Sequence, residues 1–310
     1  MRILVTGGAG FISSHIAAAY LQEGHQVSVV DNLSQGKREN VPQGATFYPM
    51  DILDPQLDEV FSRERPEVIN HHAAQIDVRK SVMDPAFDAR VNIMGTLNLL
   101  DSAVQHGTRQ VILASSGGTV YGENGVFPLS EQSPLEPKSP YGLSKYVGER
   151  YLQLYFTLFG LNSVILRYSN VYGPRQDPKG EAGVVAIFCE NILNEKPLTV
   201  FGDGTQTRDY VFVSDVVAAN LEALRMKECL ILNVGTSQET SVNELISAFE
   251  RLVGRPLPLN HAPSRQGELQ RNSLSSSWAR ERLGWTPKVS LEEGLRQTLD
   301  WFQERRRGAE

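Results

Sequence analysis

Short apolar runs alternate along the chain with helical or glycine-broken segments. RILVTG (Arg2 to Gly7) is apolar through Val5, and GAGFISSHIAAAYLQEG continues as a turn that opens a helix and stops at Gly24. QVSVVD (Gln26 to Asp31) predicts a second strand, ATFYPMDI a third, LDEVFSRER a helix before Pro66, and EVINHHAA a fourth strand. A helical pattern then runs from about Ala86 to His106, RQVILASS predicts a fifth strand, a helix follows Tyr141, and NSVILRYSNVYG predicts a sixth strand. Strands that read as near-continuous apolar runs are buried on both faces. Their alternation with helices implies right-handed crossovers and one parallel sheet covered on both sides. The pattern therefore predicts an α/β fold, a doubly wound parallel sheet of the Rossmann type, with ligands at the carboxyl ends of the strands.

The proline-rich stretch VFPLSEQSPLEPKSP (Val126 to Pro140) reads as a long loop ending beside a site, because the pattern of the first domain resumes right after it. Beyond Tyr172 the elements become shorter and mixed. The expected division is a dinucleotide-binding domain over 1–172 and a smaller, mainly α/β substrate domain over 173–310. ILNVGT (Ile231 to Thr236) reads as a further strand for the first sheet, so a segment around 205–236 is expected to return to it.

Composition narrows the function classes. Of 310 residues, 41% are hydrophobic and 21% charged, as in ordinary globular domains, and the formal net charge of -6 argues against a nucleic-acid partner. A few arginines gathered in one cleft can still bind a phosphorylated small molecule. The first residues enter an apolar run directly, and no apolar stretch is long enough to span a bilayer, so a cytoplasmic protein without a membrane partner is expected. Cys189 and Cys229 are isolated, and His71 and His72, being adjacent, cannot share one strand face; no metal is predicted.

Gly7, Gly8 and Gly10 lie between the first strand and the first helix, where the backbone can approach a pyrophosphate at the helix N-terminus. Asp31 ends the second strand, where its carboxylate can accept hydrogen bonds from both ribose hydroxyls of an adenosine and would repel a 2′-phosphate; NAD is expected rather than NADP. No GxxxxGK[ST] run accompanies the turn. Tyr141 and Lys145, in SPYGLSK, are spaced i and i+4 and share a helix face. An ammonium beside the phenol, with the positive nicotinamide ring, favours the phenolate and makes a base of a tyrosine.

Taken together, GGAGFI, the aspartate of VVDNLS, SSGGTVYG (Ser115 to Gly122) and the YxxxK pair resemble the extended short-chain dehydrogenase/reductase family. DNLS, RYSNVYGPRQDP and DGTQTRDYVFVSDV are similar to its nucleotide-sugar branch, over essentially the whole chain. The resemblance implies NAD-dependent 4-epimerisation of a UDP-hexose (UDP-galactose/UDP-glucose) through a transient 4-keto sugar, with Tyr141 as acid/base and Lys145 also holding the nicotinamide ribose. It implies cofactor contacts from Gly7, Gly10, Phe11, Ile12, Asp31 and Asn32. Asp51 and Ile52 would lie near the adenine, Ala73, Ala74, Gln75 and Asn92 along the cofactor, and Ser115 towards the nicotinamide. Tyr168, Asn170 and Val171 would border the nicotinamide and substrate. Arg208 and Arg265 would bind the UDP diphosphate, whose paired oxygens suit a planar fork. Glu268 would take a uridine ribose hydroxyl, and Asn272 would stand near C2 of the sugar. Alternatives are a 4-epimerase of UDP-N-acetylhexosamine or UDP-glucuronate, or a NAD-binding regulator without turnover, which would have no need of the Tyr141–Lys145 pair.

Two positions depart from the family pattern. The third fingerprint glycine is Ser13, for which a small shift and retained binding are expected. The substrate-facing Ser/Thr position is Gly117, so a neighbouring hydroxyl has to serve: Ser116, the favoured helper, or Thr119. Gly118 and Thr119 stand where the resemblance implies that sugar-nucleotide dehydratases and decarboxylases carry their acids, which weighs against both reactions. The helices VNIMGTLNLLDSAV and YGLSKYVGERYLQLYF are apolar nearly all round, more than one sheet face can bury, and predict a homodimer.

Overall fold

The computed structural model describes residues 1–123, 125–179, 183–264 and 269–307. The first half runs β1 (Arg2–Thr6), α1 (Phe11–Gln22), β2 (Gln26–Val30), β3 (Thr46–Tyr48), α2 (Leu57–Glu64), β4 (Val68–His71), α3 (Val78–Met83), α4 (Pro85–Ala89), α5 (Gly95–Gln105), β5 (Gln110–Ser116) and α6 (Pro140–Phe159). It continues with β6 (Asn162–Tyr168), β7 (Asn170–Tyr172), α7 (Val184–Leu193), β8 (Leu198–Phe201), β9 (Thr207–Arg208), β10 (Tyr210–Phe212), α8 (Val213–Ala223) and β11 (Cys229–Val234). The last elements are β12 (Thr240–Ser241), α9 (Val242–Val253), β13 (Leu259–Ala262), α10 (Ser277–Leu283) and α11 (Leu291–Arg307).

Among the described residues, seven parallel strands form one sheet in the order β11-β6-β5-β4-β1-β2-β3. Alternate side chains of each strand enter opposite layers, which is why the strands read as unbroken apolar runs. Ile3, Val5, Val29, Ile112 and Leu166 pack with Ile16 and Ala17 of α1 and Val216 and Ala219 of α8. Leu4, Val30, Ile69, Val111 and Ile165 pack on the other face with Phe61, Leu99, Leu100 and Leu152. A third cluster, around Phe188, Leu198, Val200, Leu245, Phe249 and Leu295, fills the layer built by the later elements. No helix among the described residues is long and apolar enough to cross a membrane.

Two segments differ from the sequence expectation. The helical run from Ala86 is interrupted by a turn of π-helix over Arg90–Met94, and such turns recur at functional sites. The single sixth strand divides: β6 pairs with β11, whereas β7 leaves the sheet and pairs with β10. The expected return of ILNVGT to the first sheet is β11.

Candidate active site

The chain reverses direction across the sheet between β1 and β4, and the crevice at that switch point is where a doubly wound fold binds its ligand. Gly7 opens it. Its φ is +69°, and a Cβ there would stand 2.7 Å from the Ala73 backbone nitrogen, so the turn after β1 can pass the loop after β4 only as glycine. Helix α1 follows with Gly10 as its N-cap and no capping side chain among the described residues, leaving the N–H groups of the first turn, from Phe11 and Ile12 onward, to face an anion. Ser13, in the position of the third glycine, is 2% exposed and its hydroxyl donates to the Gly7 carbonyl. The hydroxyl is thus absorbed within the turn.

Asp31 closes the crevice at the end of β2. Its Oδ2 accepts from Ala9 N at 2.9 Å and its Oδ1 from Leu33 N at 2.8 Å, which aims the carboxylate while leaving lone pairs on both oxygens. Burial raises its pKa above the ordinary aspartate value, and these two N–H bonds oppose the shift. Asn32 donates to Asp51 Oδ2 at 2.7 Å. Ile52, expected near the adenine with Asp51, buries its side chain in the core against Gly95, and its carbonyl accepts from Asn98, so Asp51 carries the polar side chain of that pair. These residues fit a dinucleotide: an anion cradle where a Cβ would clash, and a carboxylate one strand away.

Helix α6 presents Tyr141 and Lys145. Ser139 caps it by accepting from Gly142 N at 3.1 Å, and Pro140 occupies its first turn, which sets Tyr141 in that turn and Lys145 one turn on. The Lys145 ammonium is buried, donates to the Ala114 carbonyl of β5 at 3.1 Å and lies 5.9 Å from the centre of the Tyr141 ring. Burial lowers its pKa to about 8, while the charges of Asp88 and Glu149 pull it back up. Around the π-turn, Asn92 Nδ2 donates to Gln75 O, Asp88 Oδ1 and Ser144 Oγ, and Asn92 Oδ1 accepts from Gln75 N at 2.8 Å. Gln75 and Asn92 are thus joined to α6 directly behind Tyr141. Ala73 and Ala74 line the loop after β4, both half-buried.

At the end of β5 the hydroxyls separate. Ser115, expected to face the nicotinamide, donates its hydroxyl to Glu149 Oε1 at 2.5 Å beneath the strand, because alternation points it to the α6 side. Ser116 and Thr119 are half-buried, joined by the Thr119 N–H to the Ser116 carbonyl at 3.1 Å. Gly117 has a physical reason to lack a side chain: its Cβ would lie 2.3 Å from Leu274 Cδ1. Leu274 is fully buried with Val120, Tyr121 and Leu129, and Asn272 beside it donates to the Gly117 carbonyl at 3.4 Å.

Tyr168 is 5% exposed, and its hydroxyl sits between His72 Nε2 at 3.2 Å and Asn220 Nδ2 at 2.9 Å, so the phenol is turned into a buried network and only the ring is left for a ligand. Burial keeps this phenol protonated, well above its ordinary pKa. Asn170 and Val171 are half-buried on β7. Arg208 is on β9, its Nη1 donating to the Thr207 carbonyl at 2.7 Å. Arg265 and Glu268 lie outside the described residues.

A family model described as the NAD dependent epimerase/dehydratase family matches residues 3–235. The chain belongs to that family. It is 46% identical to the UDP-glucose 4-epimerase of Mycolicibacterium smegmatis, over 98% of this chain and 99% of that one. The crystal structure of the Thermotoga maritima UDP-glucose 4-epimerase with UDP-glucose superposes with a TM-score of 0.96 at 47% identity, covering 98% of this chain and 99% of that one. The Thermus thermophilus UDP-glucose 4-epimerase in complex with NAD gives 0.92 at 46% identity, with the same coverage.

Within this family member, several side chains that shape the site went unread in the sequence. Glu149 is one further i+4 step along the face that carries Tyr141 and Lys145, a signal that was there to find. Arg167, Asp209 and Leu274 had none, since each meets the site only through the fold. Asp209 is fully buried and accepts from Thr236, Ser237 and Leu274, tying the Arg208 strand to the segment that fills the space beside Gly117. Burial raises its pKa against the pull of those bonds.

Proposed function

We propose that this chain is an NAD-dependent 4-epimerase that interconverts UDP-galactose and UDP-glucose, with Tyr141 as acid/base and Lys145 as its charged partner. The observation that carries the reading is the buried Lys145 ammonium, 5.9 Å from the Tyr141 ring and bonded to the end of β5, which β4 alone separates from the strand of the dinucleotide turn. Bound NAD supplies a hydride acceptor and donor for C4 of the sugar. The Tyr141 phenolate takes the proton of the 4-hydroxyl as the C4 hydride leaves. It returns that proton once the 4-keto sugar has turned and the hydride has come back to the opposite face. Lys145 stabilises the phenolate by its charge and holds the nicotinamide ribose. Ser116, the half-buried hydroxyl nearest the missing side chain of Gly117, donates to the sugar oxygen. Gly7, Gly10 and Asp31 hold the pyrophosphate and adenosine ribose; Arg208 and Arg265 hold the UDP diphosphate. The sheet-forming part of the chain thus binds NAD, and the later layer the UDP-sugar.

The same reading makes the enzyme a cytoplasmic homodimer. Leu143, Leu154, Leu158 and Phe159 of α6 are 47–61% exposed, as is Met94 beside them at 55%, and a second copy of this face is the occupant that buries such a stripe. The test of function is direct. Purified protein given UDP-galactose without added NAD is expected to form UDP-glucose, with UDP-N-acetylgalactosamine and UDP-glucuronate in parallel tubes ranking the substrates. Tyr141→Phe is expected to lower turnover by at least about 100-fold. No conversion of any sugar, even with NAD supplied, would overturn the reading.

A further inference from the structure

Beneath the site runs a buried polar chain that the reaction as described does not use. Arg167 of β6 and Glu149 of α6 are 2% and 0% exposed. Arg167 Nε donates to Glu149 Oε1 at 2.9 Å and Nη2 to Oε2 at 2.5 Å, a two-pronged pair, while Nη1 donates to the Tyr121 hydroxyl at 2.7 Å. Tyr121 in turn donates to Asn233 Oδ1 on β11 at 2.7 Å, and the Asn233 N–H donates to Glu131 of the long loop at 2.7 Å. The same Glu149 oxygen that meets Arg167 also takes the Ser115 hydroxyl from the end of β5. A buried ion pair is poorly explained by stability, since apolar side chains of like volume often serve as well. This one is placed where three things meet: the helix of Tyr141 and Lys145, the strand end that carries Ser116, and the strand that leads to Asn170.

We infer that Glu149 is a positioning residue of the reaction, its carboxylate locking α6 onto β5 and β6 through Ser115 and Arg167 and supplying negative charge that keeps the Lys145 ammonium in place. The inference rests on Tyr141 and Lys145 being the reacting pair. Around Lys145 stand His71 from β4 and His72 just after it, Asp88 from α4, and Tyr141 and Glu149 from α6. Both histidines are held neutral by burial, their pKa lowered to about 3. The counter-charges are therefore two carboxylates, Asp88 and Glu149, and Glu149 is the one shared with a second cation. Arg167 offsets the Glu149 charge as its paired cation, so removing one partner or the other should act on Lys145 in opposite senses.

Turnover measured against pH with saturating UDP-galactose, on protein retaining its NAD, should fall on the alkaline side as Lys145 loses its proton. Glu149→Gln keeps an acceptor for Ser115 but removes the negative charge, leaving Arg167 uncompensated; the alkaline limb is expected to move down by about one pH unit. Arg167→Gln leaves Glu149 unopposed, and the limb is expected to move up by a similar amount. Loss of mere structural support would not send the two variants in opposite directions. Opposite shifts support the inference, and a folded variant of either kind with an unmoved limb overturns it. If Glu149→Gln does not fold, Arg167→Gln decides alone. Tyr141→Phe runs beside them: activity there would refute the reacting pair, whereas an inactive Tyr141→Phe with unmoved limbs would refute only the role of Glu149.

Discussion

Restoring the missing hydroxyl by Gly117→Ser is expected to damage the enzyme. The added Cβ would lie 2.3 Å from Leu274 Cδ1, 2.9 Å from its Cδ2 and 3.2 Å from its Cγ, all well inside van der Waals contact. An exposed leucine would swing away. Leu274 is fully buried among Val120, Tyr121 and Leu129, and its backbone is held by Asp209 and by the Leu129 bridge, so it has nowhere to go. Overpacking of this kind costs about 1–3 kcal/mol, a fall of a few degrees in Tm for a chain of this size. The end of β5 would yield as well, and displacement near a reacting group lowers turnover, here by about tenfold or more. Leu274→Ala alone leaves a cavity and costs about 2–5 kcal/mol. The double variant Gly117→Ser/Leu274→Ala should be destabilised by at least about 1 kcal/mol less than the sum of the singles, because each change makes room for the other. Thermal melts of the four proteins, with turnover of each, give the cycle. A Gly117→Ser protein that melts with the parent and turns over as fast would show that Leu274 does not occupy that place.

Acid should destabilise the fold through two imidazoles, the buried His71 and the half-buried His72. His71, bonded between Thr6 and Thr96, and His72 both have folded pKa values of about 3 against an ordinary 6.5. Above pH 6.5 both states are neutral and nothing is lost. As pH falls from 6.5 towards 3 the unfolded chain takes up protons that the folded one refuses, so stability drops by up to about 1.4 kcal/mol per pH unit for each group. Melts from pH 7.5 to 4.5 measure the slope, and a flat profile would contradict it. Replacing Leu154 and Leu158 by Glu is expected to give a monomer in sedimentation at micromolar concentration, from a dimeric parent; a monomeric parent would remove the interface.

What the sequence discloses and what it withholds divide along the range of the interactions. The strands were legible because burial on both faces writes itself into every residue of RILVT and QVSVV. Tyr141 and Lys145 were legible because helical spacing is local. The split after Tyr168 was not, since the apolar run continues while its partner changes: Ser169 N still bonds Val234 on one side, and Asn170 has already passed to Asp209 on the other. The π-turn was hidden for a like reason, as Asn92 is held by Gln75, Asp88 and Ser144, which come from separate elements.

The same division runs through the site. The absence of a hydroxyl at Gly117 could be read from the chain, but its cause, Leu274, arrives from far along the sequence. Ser115 and Ser116 look interchangeable as text; only the pleat and Glu149 separate the one spent inside from the one left half-exposed. Groups that touch the substrate must be of particular types at particular spacings, and so leave a trace. Groups that set their charge need only be near. Asp88, Glu149 and Arg167 reach Lys145 or its counter-charge from three elements, and any of several arrangements of acids and bases could have done so. A pH profile that moves in opposite directions on removing Glu149 and Arg167 would show that this untraced layer, as much as the Tyr141–Lys145 pair, decides where the enzyme works.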